Sequence, residues 1–473
     1  MDPKHIRDPG FLERQYICRN TNKYWTNFNI VAKYNQKVDA QLLSRALRKL
    51  CLSDLWLVLN FFRKYGDHAD DHNLNGVNFE VRPVKQFKFE DVVSFEHIPS
   101  FDGTFLEKVN ELVCPMNTEL PLWRIIVVST DANEQYICIY FDHSIFDGTA
   151  GVHFQRFLID QLNKIHEGND TEVVSEEYMF NYVEDIDRID AIVPSAKENT
   201  NSLFQTSIFY RVNEFLKQLW KRVRRYLPFQ SKSSTLTFSH NVVTRNMSAK
   251  YRTVTIPSSD VGQVLKFCKG NGFTMTPLIN VIALKALEGS LFKGLGLHQN
   301  RFPSTISCLP INGRKFVNNP SKLGVYVGYD FFQFPSPISN LVTFSQDLYG
   351  MLNRTIRSKS CFSLVGMYKH VNIWDTYKSK LGKKDGRATI AISNLGRMEQ
   401  IPSSGSEDEK FWQIEDIWFS SCMGLVLHSM IYCITCANGN LNLVFGFLPE
   451  YELYLDKFVS EFRRILDNEV LSK

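Results

Sequence analysis

The run Tyr136–Phe141 is apolar without a break, and one residue beyond it (Asp142) the chain reads His143-Ser144-Ile145-Phe146-Asp147-Gly148. An apolar run of that length predicts a buried strand. Phe154, Phe157, Leu158, Leu162 and Ile165 then recur at helical spacing just after Gly151, which predicts a helix. A strand, a loop and a helix in immediate succession put His143 at a rigid junction from which a base can be aimed. Free imidazole titrates at about 6.5, which suits it to taking a proton from an alcohol or amine near neutral pH. A lone histidine after a strand is more often structural, so the features around it carry the weight.

With 473 residues the chain is long for one core, and two domains are expected. A hydrophobic content of 44% with 22% charged residues is ordinary for a globular enzyme, and a net charge of +4 is too small to imply nucleic acid. The 36 phenylalanines suit either very aromatic cores or the lining of a greasy ligand site. Cys433 and Cys436 form a C-x-x-C, but inside the largely apolar run Met430–Cys436, where a buried strand outweighs a redox or metal site. No metal site is expected. The polar start Met1–Gly10 carries no signal peptide, and no stretch reaches the roughly 18 uninterrupted apolar residues of a membrane span. A reducing, cytosol-facing compartment is the expected home.

The pattern reads as mixed α/β throughout. Strands are expected at Asn27–Tyr34, Leu122–Val128 and Tyr136–Phe141, the last two as a hairpin across Ser129–Asn133, and a helix over Val38–Leu52. The polar, acidic stretch from about Glu167 to Asn201, with Glu172, Glu176, Glu177, Glu184 and Asp185, reads as a linker. After it, strands are expected at Arg252–Ile256, Ser304–Leu309, Gly324–Phe332, Ala388–Ile392, Gly424–Thr435 and Leu441–Phe447, with helices over Ser258–Cys268, Pro277–Gly289 and Glu452–Leu466. The division is 1–185, 186–250 (linker and a basic helix) and 251–473. In Gln205–Phe229, Ile208, Val212, Phe215, Leu219 and Val223 make one apolar stripe, and Arg211, Lys217, Lys221, Arg222, Arg224 and Arg225 oppose one acidic residue, Glu214. Such a helix, with Trp220 and Tyr226, can lie in a membrane interface. An ordinary crossover helix packed on its own protein is slightly favoured over that. Ser403–Glu409 reads as a surface loop.

The H-x-x-x-D-G string after a strand, in a chain of this size, resembles the CoA-dependent acyltransferase superfamily. Trp123-Arg124-Ile125-Ile126 and the opening Tyr24-Trp25-Thr26-Asn27-Phe28-Asn29-Ile30 look more narrowly like the fungal alcohol acetyltransferase family. By length the chain is nearest to that family's branch of N-acetyltransferases acting on sphingoid-like compounds such as myriocin. The resemblance implies an α/β (α+β) fold of two similar acyltransferase-like domains with mixed sheets and an active-site tunnel between them. It implies acetyl-CoA as co-substrate, with no permanently bound cofactor.

On that resemblance His143 is the general base, and the acceptor attacks the thioester directly, with no acyl-enzyme. Asp147 belongs to the catalytic motif but holds its loop, pairing with Arg314 in Leu309-Pro310-Ile311-Asn312-Gly313-Arg314; Gly148 permits the tight backbone. Ser393 and Asn394, in a loop expected after a strand and running to Arg397, are the candidates for contacting CoA and the developing oxyanion. Lys378, Lys380, Lys383 and Lys384 offer a weaker CoA-phosphate candidate. The expected function is acetyl transfer to the amine of a lipid-like, sphingoid-type acceptor, with ester formation on an alcohol as the alternative. A non-catalytic lipid-binding protein on the same fold is the rival of another class. Expected partners are acetyl-CoA and an aliphatic amine or alcohol, with peripheral membrane contact through 205–229 as the less favoured reading of that helix. The chain is expected to be a monomer, in the cytoplasm or on the cytosolic face of the endoplasmic reticulum.

Overall fold

The strand-forming runs assemble into two mixed sheets in the computed structural model, which describes residues 2–64, 78–168, 177–188, 203–224, 248–297, 304–318, 321–378, 381, 388–399, 411–423 and 429–472. The first half supplies β1 (Asn27–Tyr34), β2 (Leu59–Arg63), β3 (Phe79–Pro83), β4 (Gln86–Phe87), β5 (Val93–Ile98), β6 (Trp123–Thr130), β7 (Gln135–Asp142) and β8 (Phe180–Asn181). The second half supplies β9 (Lys250–Ile256), β10 (Thr305–Asn312), β11 (Val327–Phe334), β12 (Ile390–Arg397), β13 (Ile414–Ser421), β14 (Ser429–Thr435) and β15 (Leu441–Phe447). One sheet runs β13-β1-β7-β6-β5 and the other β11-β10-β12-β14-β15-β9; β2-β3 and β4-β8 are separate pairs.

β6 and β7 form the expected antiparallel hairpin, with Ser129 opposite Gln135. β7 is almost wholly buried because the helix Gly148–His166 covers one face of its sheet. Gln155 of that helix ties it down, donating to the Ile30 and Ile137 carbonyls at 3.2 and 2.9 Å while accepting from the Tyr34 hydroxyl at 2.7 Å. Gly151 makes the close approach possible, since a Cβ there would stand 2.7 Å from Ile30.

The second sheet is covered by the helices Met275–Leu287 and Glu452–Leu466. Phe445 meets Phe458 and Phe462 edge-on at 5.5 and 5.1 Å, a geometry that aromatic quadrupoles favour. The stretch Met275–Phe292 is long and apolar enough to cross a membrane by length and composition, yet 72% of it is buried inside the protein, as a core helix requires. Cys433 and Cys436 are buried at the end of β14 and burial pushes both thiols up, Cys436 to about 12, which suits packing and not redox exchange. All ten cysteines are unpaired and buried.

Several elements depart from the sequence expectations. β13 has no counterpart among the expected strands, and it lies in the first sheet, antiparallel to β1 with Phe28 opposite Ser421. Asp185, read among the acidic residues of the linker candidate, is buried and grips Arg48 through two hydrogen bonds of 2.5 and 2.6 Å. The apolar side chains of the helix Ile208–Arg224 are left uncovered. Its Ile208, Phe209, Val212, Phe215, Leu216, Leu219, Trp220 and Val223 are each between 44% and 88% exposed, eight of the thirteen large apolar side chains left exposed among the described residues. Leu203 and Phe204, just before it, are buried beside Phe362 and Tyr16 and root it. The rest of the expected linker and basic segment, including Glu172, Glu176, Arg225 and Tyr226, lies outside the described residues, as do Ser403–Glu409.

Candidate active site

β7 ends at Asp142, and His143 begins the turn into the helix Gly148–His166. The His143 backbone N–H donates to the Thr26 carbonyl at 3.0 Å. Its ring stacks on Tyr16, with centroids 4.8 Å apart and planes 10° from parallel, and meets Phe28 at 5.0 Å. Nδ1 is buried, and no side chain among the described residues hydrogen-bonds it. Burial pushes the imidazole pKa down to about 4, with the negative charge of Asp147 pulling the other way. The ring is therefore neutral, and able to accept a proton, throughout the physiological range.

Asp142 and Asp147 shape this turn from either side of the histidine. Asp142 accepts from the Ser144 N–H at 2.9 Å and from Asn20 Nδ2 at 2.8 Å. Asp147 caps the helix, accepting from the Ala150 N–H at 2.9 Å. It also accepts from Arg314 Nη1 at 2.7 and 2.9 Å and from the Tyr326 N–H at 2.9 Å. The expected pair forms, with a single guanidinium nitrogen bridging both carboxylate oxygens. The other nitrogen, Nη2, donates to the Gly324 carbonyl at 2.9 Å. The pair ties the histidine's loop to the start of the second sheet. Gly148 lies against Leu395 of β12, where a Cβ would come within 2.7 Å of Cδ2.

A cavity of about 370 Å³ lies against this turn, between the two sheets. His143, Asp147, Gly148, Ser393 and Asn394 all line it, whereas Arg314 stands behind Asp147 and does not. Ser393–Arg397 is the end of strand β12 with an irregularity in its pairing to β14, and not the loop that the sequence suggested. Asn394 is engaged internally, donating to Thr276 Oγ1 at 3.1 Å and accepting from the Gly396 N–H at 2.8 Å, which leaves Ser393 as the freer of the two. Lys378 ends a short helix, and Lys380, Lys383 and Lys384 lie outside the described residues.

The cavity departs from a purely greasy lining. Of the described phenylalanines only Phe331 and Phe419 line it, while Tyr16, Tyr329, Tyr368 and Tyr377 bring hydroxyls. Tyr329 and Tyr368 are hydrogen-bonded to each other at 2.6 Å, and Tyr377 accepts from Gln15 Nε2 at 2.7 Å. Gln15, Tyr16 and Arg19 come from the helix Phe11–Thr21, which sequence reasoning missed. That helix is buried on several sides and shows no one-sided stripe, so periodicity gave it no signal.

A family model described as alcohol acetyltransferase matches residues 8–470 of the chain. Alcohol O-acetyltransferase 1 of Saccharomyces cerevisiae is 24% identical over 211 residues, covering 38% of this chain and 39% of that one. Alcohol O-acetyltransferase 2 of the same yeast is 23% identical over 366 residues, covering 68% of this chain and 66% of its own length. The chain thus spans less than two thirds of the length of either relative. A trichothecene 15-O-acetyltransferase from Fusarium sporotrichioides superposes with a TM-score of 0.63 at 11% identity, covering 98% and 95% of the two chains, and shares the two-lobed fold.

Proposed function

The chain belongs to the alcohol acetyltransferase family, and from that premise we propose that it transfers acetyl from acetyl-CoA to the amine of a sphingoid-type acceptor, with His143 as general base. The observation that carries this reading is a neutral, half-buried imidazole on the wall of a cavity lined by both polar and apolar side chains. An amphipathic head-and-tail acceptor fits such a lining better than a plain short alcohol does. With Nδ1 buried, Nε2 is the nitrogen left to take the acceptor's proton. The acceptor nitrogen bonds to the acetyl carbon, the C–S bond breaks, and His143 returns the proton to the CoA thiolate. Ser393, which lines the same cavity, is proposed to steady the developing oxyanion. Ester formation on an alcohol is the second reading, favoured by the printed names of the two yeast relatives.

Release of free CoA thiol, with a sphingoid amine and an aliphatic alcohol offered in parallel, tests both readings. No release with either would move the weight to lipid binding alone. The same assay across pH tests the base. Because His143 titrates at about 4, kcat/KM with an alcohol is expected to be flat above about pH 5. With an amine it is expected to climb toward the alkylammonium pKa of about 10, as more of the acceptor becomes neutral. An inflection near 6.5 with the alcohol would mean an exposed imidazole and would overturn the burial argument.

The helix Ile208–Arg224 is proposed to lie on an anionic bilayer on the cytosolic side. Its apolar side chains stand uncovered, and five of its residues, Arg211, Lys217, Lys221, Arg222 and Arg224, are basic against one acidic, the charge that acidic headgroups attract. The ten unpaired thiols fit a reducing compartment. Sedimentation with phosphatidylserine-containing vesicles should carry the protein to the pellet, and Leu219→Glu with Trp220→Glu should leave it in the supernatant. A dimer that those substitutions break, without vesicle binding, would assign the face to a second copy instead.

A further inference from the structure

A histidine base is usually aimed by a carboxylate or carbonyl that holds its second ring nitrogen. No side chain among the described residues hydrogen-bonds the His143 ring in this way, and its polar contacts are to the backbone of its own turn, at His143 and Phe146. The two carboxylates nearby make their hydrogen bonds to other groups. Asp142 accepts from Asn20 and the Ser144 N–H, and Asp147 from Arg314 and the Ala150 and Tyr326 N–H groups. The torsion that turns an imidazole about its stem has broad wells, so packing must fix where Nε2 points.

That packing is aromatic. The Tyr16 ring covers one face of the imidazole, with centroids 4.8 Å apart and planes 10° from parallel. Phe28 stands at 5.0 Å, tilted by 56°. A large turn of the imidazole would drive its edge into the Tyr16 ring. Tyr16 is itself firmly held: it is 8% exposed and packs with Leu12, Phe204 and Phe362. Its neighbour Gln15 donates to the Tyr377 hydroxyl at 2.7 Å. The helix Phe11–Thr21 that carries both is closed at its start by Glu13, which accepts from the Gly10 N–H at 2.5 Å and from Arg7 at 2.7 Å. Burial pushes the Tyr16 phenol up, so it stays neutral beside the base.

We infer that Tyr16 is a positioning residue for acetyl transfer: its ring, together with Phe28, holds the His143 imidazole in the rotation that aims Nε2 into the cavity and keeps water off the covered face. A neutral aromatic clamp takes the place that a carboxylate holds in a catalytic triad. This rests on the reading of the cavity as the site of acetyl transfer.

The test combines CoA-thiol release, with a sphingoid amine and an aliphatic alcohol as acceptors, and an NMR titration of the His143 ring in the wild type, Tyr16→Phe and Tyr16→Leu. The wild-type imidazole should titrate at about 4. Tyr16→Phe keeps the ring and should match the wild type in both readouts. Tyr16→Leu should lower kcat about tenfold, the upper end of what one aromatic pair contributes, with the KM for acetyl-CoA unchanged. Its imidazole should titrate closer to the free value of about 6.5, because burial is the largest cause of the low wild-type value. The charges that act on the ring are the same in all three proteins: Asp147 on the following turn, which raises the value, and Arg19 on the first helix, which lowers it. If Tyr16→Leu does not fold, Tyr16→Met, a flexible chain of similar reach, decides in its place. An equal loss of rate in Tyr16→Phe overturns the inference and gives the role to the hydroxyl. So does a Tyr16→Leu enzyme as fast as the wild type, or one slowed only in proportion to its folded fraction with the imidazole still titrating at about 4, the result of a merely structural role. A wild type that releases no CoA from either acceptor overturns the acetyl-transfer reading, and the inference falls with it.

Discussion

His143→Ala is expected to lower kcat/KM by about 10²–10⁴-fold, the usual contribution of a positioned base, while the protein stays folded. The side chain can be removed without breaking its surroundings. The backbone N–H to Thr26 survives the substitution, and the ring's remaining polar contacts are to the backbone of its own turn, at His143 and Phe146. What goes is the ring stacked on Tyr16 and against Phe28, at the edge of a cavity that is already open. The variant should also be less acid-sensitive. The folded pKa of about 4 lies below the unfolded value of about 6.5, so between those values the unfolded chain binds more protons and stability falls as pH falls. Deleting the imidazole removes that term. CoA-thiol release and thermal melting at pH 7 and pH 5 measure both effects. Full activity in the variant would remove His143 from the chemistry.

Asp147→Asn is expected to lose stability and activity together. Asp147 is 1% exposed and makes four contacts to three partners: the helix cap at Ala150, both contacts to Arg314 Nη1, and the Tyr326 N–H. Asparagine can keep the cap, but it leaves the Arg314 guanidinium, 10% exposed, without its counter-charge. Breaking a buried pair from one side costs about 3–5 kcal/mol. Arg314 also donates to the Gly324 carbonyl at 2.9 Å and stands 4.8 Å from the centre of the Tyr326 ring, so its displacement would loosen the second sheet's contact with the His143 loop. Asp147→Asn with Arg314→Gln should therefore be less destabilised than the sum of the single variants. An unchanged melting temperature with a purely kinetic defect would show that Asp147 acts on the reaction and not on the loop.

Much of this site was legible because its parts are local. An apolar strand, a six-residue turn and a helical stripe are contiguous in sequence, so periodicity alone placed His143, and the motif resemblance supplied Arg314 across 167 residues of chain. The polar cavity wall was not legible. Gln15, Tyr16, Arg19, Tyr368 and Tyr377 belong to short helices whose burial comes from tertiary contact on several sides, which leaves no amphipathic signature. β13 was missed for a related reason: its eight residues mix charged and apolar side chains, and its partner β1 lies far away in the chain. The basic helix shows the converse. Its stripe was read correctly, but sequence cannot say whether such a stripe is covered.

The place of β13 sets a timetable for folding at the ribosome. β1 can pair with β7 early, but its other edge waits for Ile414–Ser421, some 380 residues after Tyr34. At about 5–20 residues per second that is a delay of roughly 20–80 s. Through it the nascent first lobe presents an apolar, unpaired strand edge, the kind that invites association between chains. A chaperone holding that edge during synthesis, or slower initiation that spaces the ribosomes apart, should raise the yield of folded protein more than any change in the active site would.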